Sequence, residues 1–380
     1  MVSIIESKQL SFNFEKSLFL VLGDKKARKT LLDKLKLNPL MLDDKPLKYA
    51  TTAKYLGDQH SVNLAESISQ TVKKRMRIAT SSIYEIRSVV DDKRAEAVAS
   101  LATAFLIWEM AVIPMLIHNA GCWVNMSKKT LKELDKVQLK FLRVALAVGT
   151  GCPIPMLYAE TGTMLMVNRV LQKKLLFLHH VATLPPGTLA RQVYDWEREC
   201  GTEQASLVKE CLPVLDEFGI TNFQSYSKYH FKSLIRKKLF SKNKADLIAM
   251  SSTYKKINQD SFKLESFKLK SYFKELTINK SRLQFKLNSK MTPKIASNFH
   301  RDPKYREIDY LCVGCSVGTG GREDSSGELN RNIDTEDHVT RCLGYADLRQ
   351  NLDLDSQSDL LTYFQLVIDR RIQEEQTTKT

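Results

Sequence analysis

The 380-residue chain lacks the sequence marks of several large protein classes, and each absence narrows what it does. Its amino terminus carries no secretory leader, because Glu6, Lys8, Glu15 and Lys16 interrupt the apolar residues there. Disulfide stapling of its seven cysteines is therefore not expected, and the setting is read as intracellular and reducing, with the nucleus as a candidate compartment. No apolar run is fit to span a bilayer: the best, Leu101 to Ile117, is short and contains Glu109 and Pro114, so a buried helix is expected and a membrane partner is not. There is no phosphate-cradling loop either, since Gly318 to Gly321 follows no suitable strand and lacks a Gly-Lys-Ser/Thr ending. Paired catalytic carboxylates are also missing. Asp43-Asp44 lies in a polar stretch between Pro39 and Pro46 and reads as a turn, while Asp91-Asp92 is expected to begin a helix.

Acid is scarce where base is dense. The chain has a formal charge of +15, and residues 228 to 290 hold 17 Lys or Arg against only Asp246, Asp260, Glu265 and Glu275, a local excess of +13. Charge concentrated in this way points to a polyanionic partner more strongly than a uniformly high isoelectric point does. Tyr229, Phe231, Phe240, Tyr254, Phe262, Phe267, Tyr272, Phe273 and Phe285 interleave with these lysines. That is the composition of a groove for RNA or single-stranded DNA, with lysines on phosphates and rings on bases. The competing reading is an ordinary helical domain whose rings are core and whose lysines are solvated. Lys237, Lys238, Lys255, Lys256, Lys268 and Lys270 are the representative nucleic-acid contacts expected.

The metal signal lies further on. Cys312 and Cys315 flank a turn carrying Gly314, and His338 and Cys342 stand at i and i+4, so a helix would set them on one face. Two close pairs of soft ligands suit one structural zinc ion. Against this, 22 residues separate the pairs, and the alternative is a chance cluster on a reduced surface. Ser316 to Leu329, rich in Gly and Ser, reads as an insertion whose closure costs little extra entropy. Cys122, Cys152, Cys200 and Cys211 are expected to pack as small hydrophobes.

Periodicity predicts a mainly α chain with a small β-hairpin component near its start. Ser3 to Leu10 reads as helix, Leu18 to Gly23 as a buried strand, and Lys54 to Gly57 as a second strand, with hairpin-like connections between. Leu64, Ile68, Val72, Met76, Ile83, Ile86 and Val90 form the stripe of a long helix. A second helix is expected over 94–118, bent near Pro114. A third is capped by Ser127 and stopped at Gly149 and Gly151, with Leu131, Leu134, Val137, Phe141, Leu142 and Ala145 on one face. A fourth runs from about Met164 to Thr183, and together these make a bundle. Val193, Trp196, Leu207 and Leu215 are read as core and docking residues, and His179 and His180 as helix packing. Leu348 to Ile372 reads as a last amphipathic helix, with Leu360, Leu361, Phe364, Val367 and Ile368 on its face and a frayed end from Glu374.

In order, these strings resemble the downstream half of the reverse transcriptase of LINE-type (non-LTR) retrotransposons. Phe12-Asn13-Phe14-Glu15-Lys16-Ser17 looks like the palm segment after the catalytic Asp pair, and Tyr55-Leu56-Gly57 like the primer-grip hairpin. Leu134, Gln138, Leu142 and Arg143, then Glu160-Thr161-Gly162 with Asn168-Arg169-Val170, are similar to the thumb. The Cys312, Cys315, His338, Cys342 set, with Tyr345, Leu348 and Arg349 after it, is similar to the carboxy-terminal zinc region. The resemblance implies five segments: palm end 1–60, thumb bundle 61–185, helical basic region 186–300, zinc region 301–350, and terminal helix and tail 351–380.

The catalytic Asp residues of that family precede the matched region, so the chain is expected to be a truncated or remnant polymerase. It would grip nucleic acid without polymerising, and magnesium would matter only if a catalytic palm were supplied elsewhere. About 38 residues follow Cys342, too few for a nuclease, so Asp353, Asp355 and Asp359 read as surface or helix-start acids. The alternative function is a host helical interaction protein with a zinc-stabilised tail and an acidic protein partner.

Overall fold

The computed structural model describes residues 17–21, 25–42, 45–55, 58–91, 100–200, 206–254, 257, 264, 267–289, 339–340 and 345–377. Among these the chain is mainly helical, with short strands confined to residues 18–61. They are β1 (Leu18–Phe19), β2 (Met41–Leu42), β3 (Lys45–Pro46), β4 (Lys48–Tyr49), β5 (Thr52–Tyr55) and β6 (Asp58–Ser61). β1 pairs parallel with β4, while β2 with β3 and β5 with β6 are antiparallel hairpins. The α-helices are α1 (Lys25–Leu37), α2 (Leu64–Asp91), α3 (Leu101–Ile107), α4 (Ile113–Leu116), α5 (Lys128–Leu146), α6 (Ile154–Thr161) and α7 (Met166–Ala182). They continue as α8 (Leu189–Cys200), α9 (Leu207–Glu217), α10 (Lys228–Ser251), α11 (Tyr272–Glu275), α12 (Ile278–Asn288) and α13 (Gln357–Thr377). No helix among the described residues is long and apolar enough to cross a membrane.

The chain divides into two units, each assembled from three stretches: Met1–Ser81, Pro114–Val137 and Met166–Arg236 in the first, Ser82–Ile113, Gln138–Leu165 and Lys237–Thr380 in the second. In the first, α7 lies against the 3-10 turn Ala120–Cys122 so closely that a Cβ on Gly121 would stand 2.7 Å from the Phe177 Cβ. The absence of a side chain there is what lets helix and turn meet. In the second, Trp108 stacks on Phe141 at 4.2 Å and 3°, and Phe105 meets the edges of Phe141 and Phe273 at 5.9 and 5.3 Å. Such offset and edge-on ring pairs add to the burial of the rings themselves. A further cluster in this unit joins Leu283 to Val339, Tyr345, Leu361, Tyr363, Phe364, Val367 and Ile368.

Several local signals read as expected. Ser127 caps α5, accepting the Thr130 N–H at 3.1 Å, and α7 ends ahead of Pro185-Pro186. The bend near Pro114 takes the form of a π-helical turn, Trp108–Val112, between α3 and α4. Pro114 donates no N–H, and its ring crowds the carbonyl one turn back; widening the preceding turn relieves both. Others differ. α1 was not foreseen, α13 begins at Gln357 rather than Leu348, and Asp91 closes a helix instead of opening one. Val193 and Trp196 are exposed, at 47% and 56%, because α8 buries Tyr194 instead. Cys152 and Cys211 are buried as expected but Cys122 is exposed, and the Cys200 side chain, like Asp43, Asp44 and Asp92, is outside the described residues.

α5 ends at Leu146, short of Gly149. Ala147 takes φ +52°, its N–H bonding to the Val144 carbonyl at 3.2 Å and the Val148 N–H to the Arg143 carbonyl at 3.0 Å. This is a Schellman ending with alanine in the left-handed position that glycine fills without strain. Replacing Ala147 by Gly is expected to raise stability by about 1 kcal/mol, read as a higher urea midpoint; Ala147→Val should lower it.

Candidate nucleic-acid interface

α10 decides what the basic segment presents. Phe231, Ile235, Leu239, Asn243, Leu247 and Ser251 recur every four residues and are buried, while Lys228, Lys232, Arg236 and Lys237 are exposed. Of the expected contacts, Lys237 and Lys268 are exposed and Lys238 and Lys270 half-buried, whereas Lys255 and Lys256 lie outside the described residues. The rings point inward. Phe231, Phe267, Tyr272, Phe273 and Phe285 are all 6% exposed or less. Phe231 stacks on His179 at 4.3 Å, and Phe240 meets Phe267 edge-on at 5.1 Å. Stacking of bases on these buried rings is thus ruled out, because burying an aromatic in the core gains more than leaving it exposed. Tyr229 is 84% exposed, Phe240 and Tyr254 are half-buried, and Phe262 is outside the described residues. His179 is packed rather than catalytic: its Nε2 lies 3.0 Å from the Tyr226 carbonyl, and burial lowers its pKa.

The β5–β6 hairpin is pinned from one side. Leu56, Gly57 and the Tyr55 side chain are outside the described residues, but Tyr55 and Asp58 are paired across β5 and β6. Asp58 forms an ion pair with Arg75, whose guanidinium also donates to the His118 carbonyl and lies 5.7 Å from the centre of the Trp123 ring. Asn119 donates to the other Asp58 oxygen at 2.7 Å. Arg75 is only 7% exposed and sits in the apolar stripe of α2, between Val72 and Ala79. Burial lowers its pKa and Asp58 opposes that shift. Sequence reading placed Met76 in the stripe and missed Arg75; the usable signal was a cation at the i+3 position after Val72.

Where the second unit carries Lys268 and Lys270, a buried carboxylate sets the backbone. Glu160, 9% exposed, accepts from the Tyr272 hydroxyl at 2.8 Å and the Asn288 amide at 3.2 Å. Its carbonyl accepts the Lys270 N–H at 3.1 Å. Two residues on, Gly162 has φ +62°, and a Cβ there would stand 2.5 Å from the Lys268 carbonyl carbon. The Glu-x-Gly string is therefore a helix end that holds a neighbouring strand of backbone. Gln138, wholly buried in the α5 stripe, donates to the Met164 carbonyl at 2.9 Å, which explains a polar residue among Leu134 and Leu142.

Cys312, Cys315, His338 and Cys342 lie outside the described residues. Among the described ones no group of His, Cys, Asp and Glu could hold a metal. What adjoins the set in sequence is firmly held. Tyr363 donates its hydroxyl to the Val339 carbonyl at 2.5 Å, Arg349 donates to the Thr340 carbonyl at 2.7 Å, and Arg371 donates to the Tyr345 hydroxyl at 2.7 Å.

Comparison with protein-family models, with curated proteins and with solved structures found no match to this chain.

Burial, and then the Glu160 carboxylate beside it, push the Tyr272 phenol well above its usual pKa. Its stabilising contribution is complete below the unfolded phenol pKa of about 10 and is lost above it, where only the unfolded chain ionises. Tyr272→Phe should lower stability at neutral pH by about 1 to 3 kcal/mol, since Glu160 loses a donor while buried. The same variant should show a shallower loss of stability from about pH 10 upward, measured by denaturant unfolding at both pH values; an unchanged slope would contradict the assignment.

Proposed function

We propose that this chain is the nucleic-acid-gripping portion of a LINE-type reverse transcriptase. In this reading the β5–β6 hairpin is the primer-grip element, the helices between 64 and 182 supply the thumb, and the Cys/His set is a structural zinc site. The observation that supports it best is the orientation of α10, which buries Phe231 and turns Lys232, Arg236 and Lys237 to solvent beside the exposed Tyr229. A helix of that kind holds a strand by its phosphates. Binding to RNA or single-stranded DNA is then broad in sequence and driven by release of counterions. Polymerisation needs metal-binding palm carboxylates, and the reading assigns none to this chain.

Two measurements test it. Fluorescence anisotropy with labelled single-stranded RNA should show affinity falling steeply as salt rises from about 50 to 200 mM. Reversing Arg236 and Lys237 to Glu should weaken binding and shrink the slope of log K against log salt by roughly 0.7 for each phosphate that is no longer neutralised. Affinity indifferent to salt would end the proposal. Separately, purified protein should contain about one zinc per chain, and the double change Cys312→Ser, Cys315→Ser should remove it.

A further inference from the structure

We propose that the first unit carries a binding cleft for a small amphipathic anion, walled by α1 on one side and by β1 and β4 on the other. The inference stands apart from the nucleic-acid reading. The cleft has a volume of about 630 Å³, within the range of about 300 to 1,000 Å³ usual for small-molecule sites. Its walls are apolar: Phe19 and Tyr49, with ring centres 5.6 Å apart and tilted by 53°, face Leu32 and Leu35 of α1.

α1 buries none of its 13 residues. Leu32 and Leu35, three apart on one face, are only half-buried, so among the described residues the apolar side of the helix borders the cleft rather than a closed core. A bound apolar body would remove that surface from water.

The rim is cationic. Lys25, Arg28, Lys29 and Lys36 line it with a single acid, Asp33, so the lining carries a net +3. Asp33 is bonded to Lys36 at 2.9 Å, which leaves Lys25 and Arg28 facing an incoming head group at the end of the cleft nearest the start of α1. The ligand is thus an anion with an apolar tail or ring system. A nucleotide fits poorly, because the donors and acceptors of its base would lie unpaired against Leu32, Leu35, Leu47 and Val62.

The test uses the full chain and the fluorescence of 1-anilinonaphthalene-8-sulfonate, which joins a flat apolar body to one anionic group. Saturable enhancement is expected, displaced by dodecanoate at least roughly tenfold better than by dodecanol, as one charge-assisted contact implies. The double change Lys25→Glu, Arg28→Glu should weaken probe binding by roughly tenfold or more. Both residues are on a helix without buried side chains, so unchanged circular dichroism is expected to accompany that loss. Equal displacement by dodecanol, displacement by adenosine monophosphate as good as by dodecanoate, or unaltered binding in the double variant would each overturn the proposal.

Discussion

The buried Glu160 carboxylate is the constraint on which the second unit's basic loop depends. Taking a carboxylate out of water costs several kcal/mol unless donors replace the lost hydration, and here Tyr272 and Asn288 supply them from α11 and the end of α12. The same residue's main-chain carbonyl takes the Lys270 N–H. Gly162 completes the arrangement, because any side chain there would both strain a positive φ and strike the Lys268 backbone. One short helix end thereby fixes two distant stretches of sequence, 268–272 and Asn288. The positions of Lys268 and Lys270 follow from a polar interaction made elsewhere, not from their own charge.

The first unit solves a comparable problem with the opposite sign. Arg75 occupies a place in the α2 stripe that an aliphatic residue would fill at no electrostatic cost, and it is tolerated because Asp58, the His118 carbonyl and the Trp123 ring surround it. An aliphatic residue would pack but could not fix direction. The ion pair ties the first residue of β6 to one turn of α2, and Asn119, itself in the left-handed region at φ 56°, closes the other side of the carboxylate. Orientation of the hairpin is what a buried pair of this sort adds over a hydrophobic contact.

The sequence disclosed those features that depend on neighbours three or four residues away. The α2 stripe, the Ser127 cap and the limits of α7 are of this kind, since helical periodicity and capping are local. It concealed what depends on distant partners. Nothing near Arg75 in sequence reveals Asp58, and nothing near Tyr272 reveals Glu160. Ring direction in the basic segment belongs to the same class: Phe273 finds its partner Phe105 more than 160 residues away. α1 was hidden for another reason, its many lysines masking a three-leucine face at Leu31, Leu32 and Leu35. The end of α5 was misplaced because glycine is the usual occupant of a left-handed helix ending and Ala147 stands in its place. Of the candidate site, Lys237 and Lys268 are exposed while Lys238 and Lys270 are half-buried, a difference that composition alone does not carry, and the metal set lies outside the described residues.

Inward rings change the energetics expected of any nucleic-acid contact. A base stacked on an aromatic face contributes about 1 to 3 kcal/mol and little dependence on salt, whereas lysine contacts to phosphate gain mainly from counterion release and fade as salt rises. With Phe231, Phe273 and Phe285 fully buried, those three rings contribute to folding the protein and none of them would be open to a base. The surface a polyanion would meet is a row of long, solvated cations on α10, and such cations would bind without a fixed register because each head has freedom to follow the phosphate nearest to it. Such a surface suits a partner that must be held while it moves, and it cannot by itself tell one base from another.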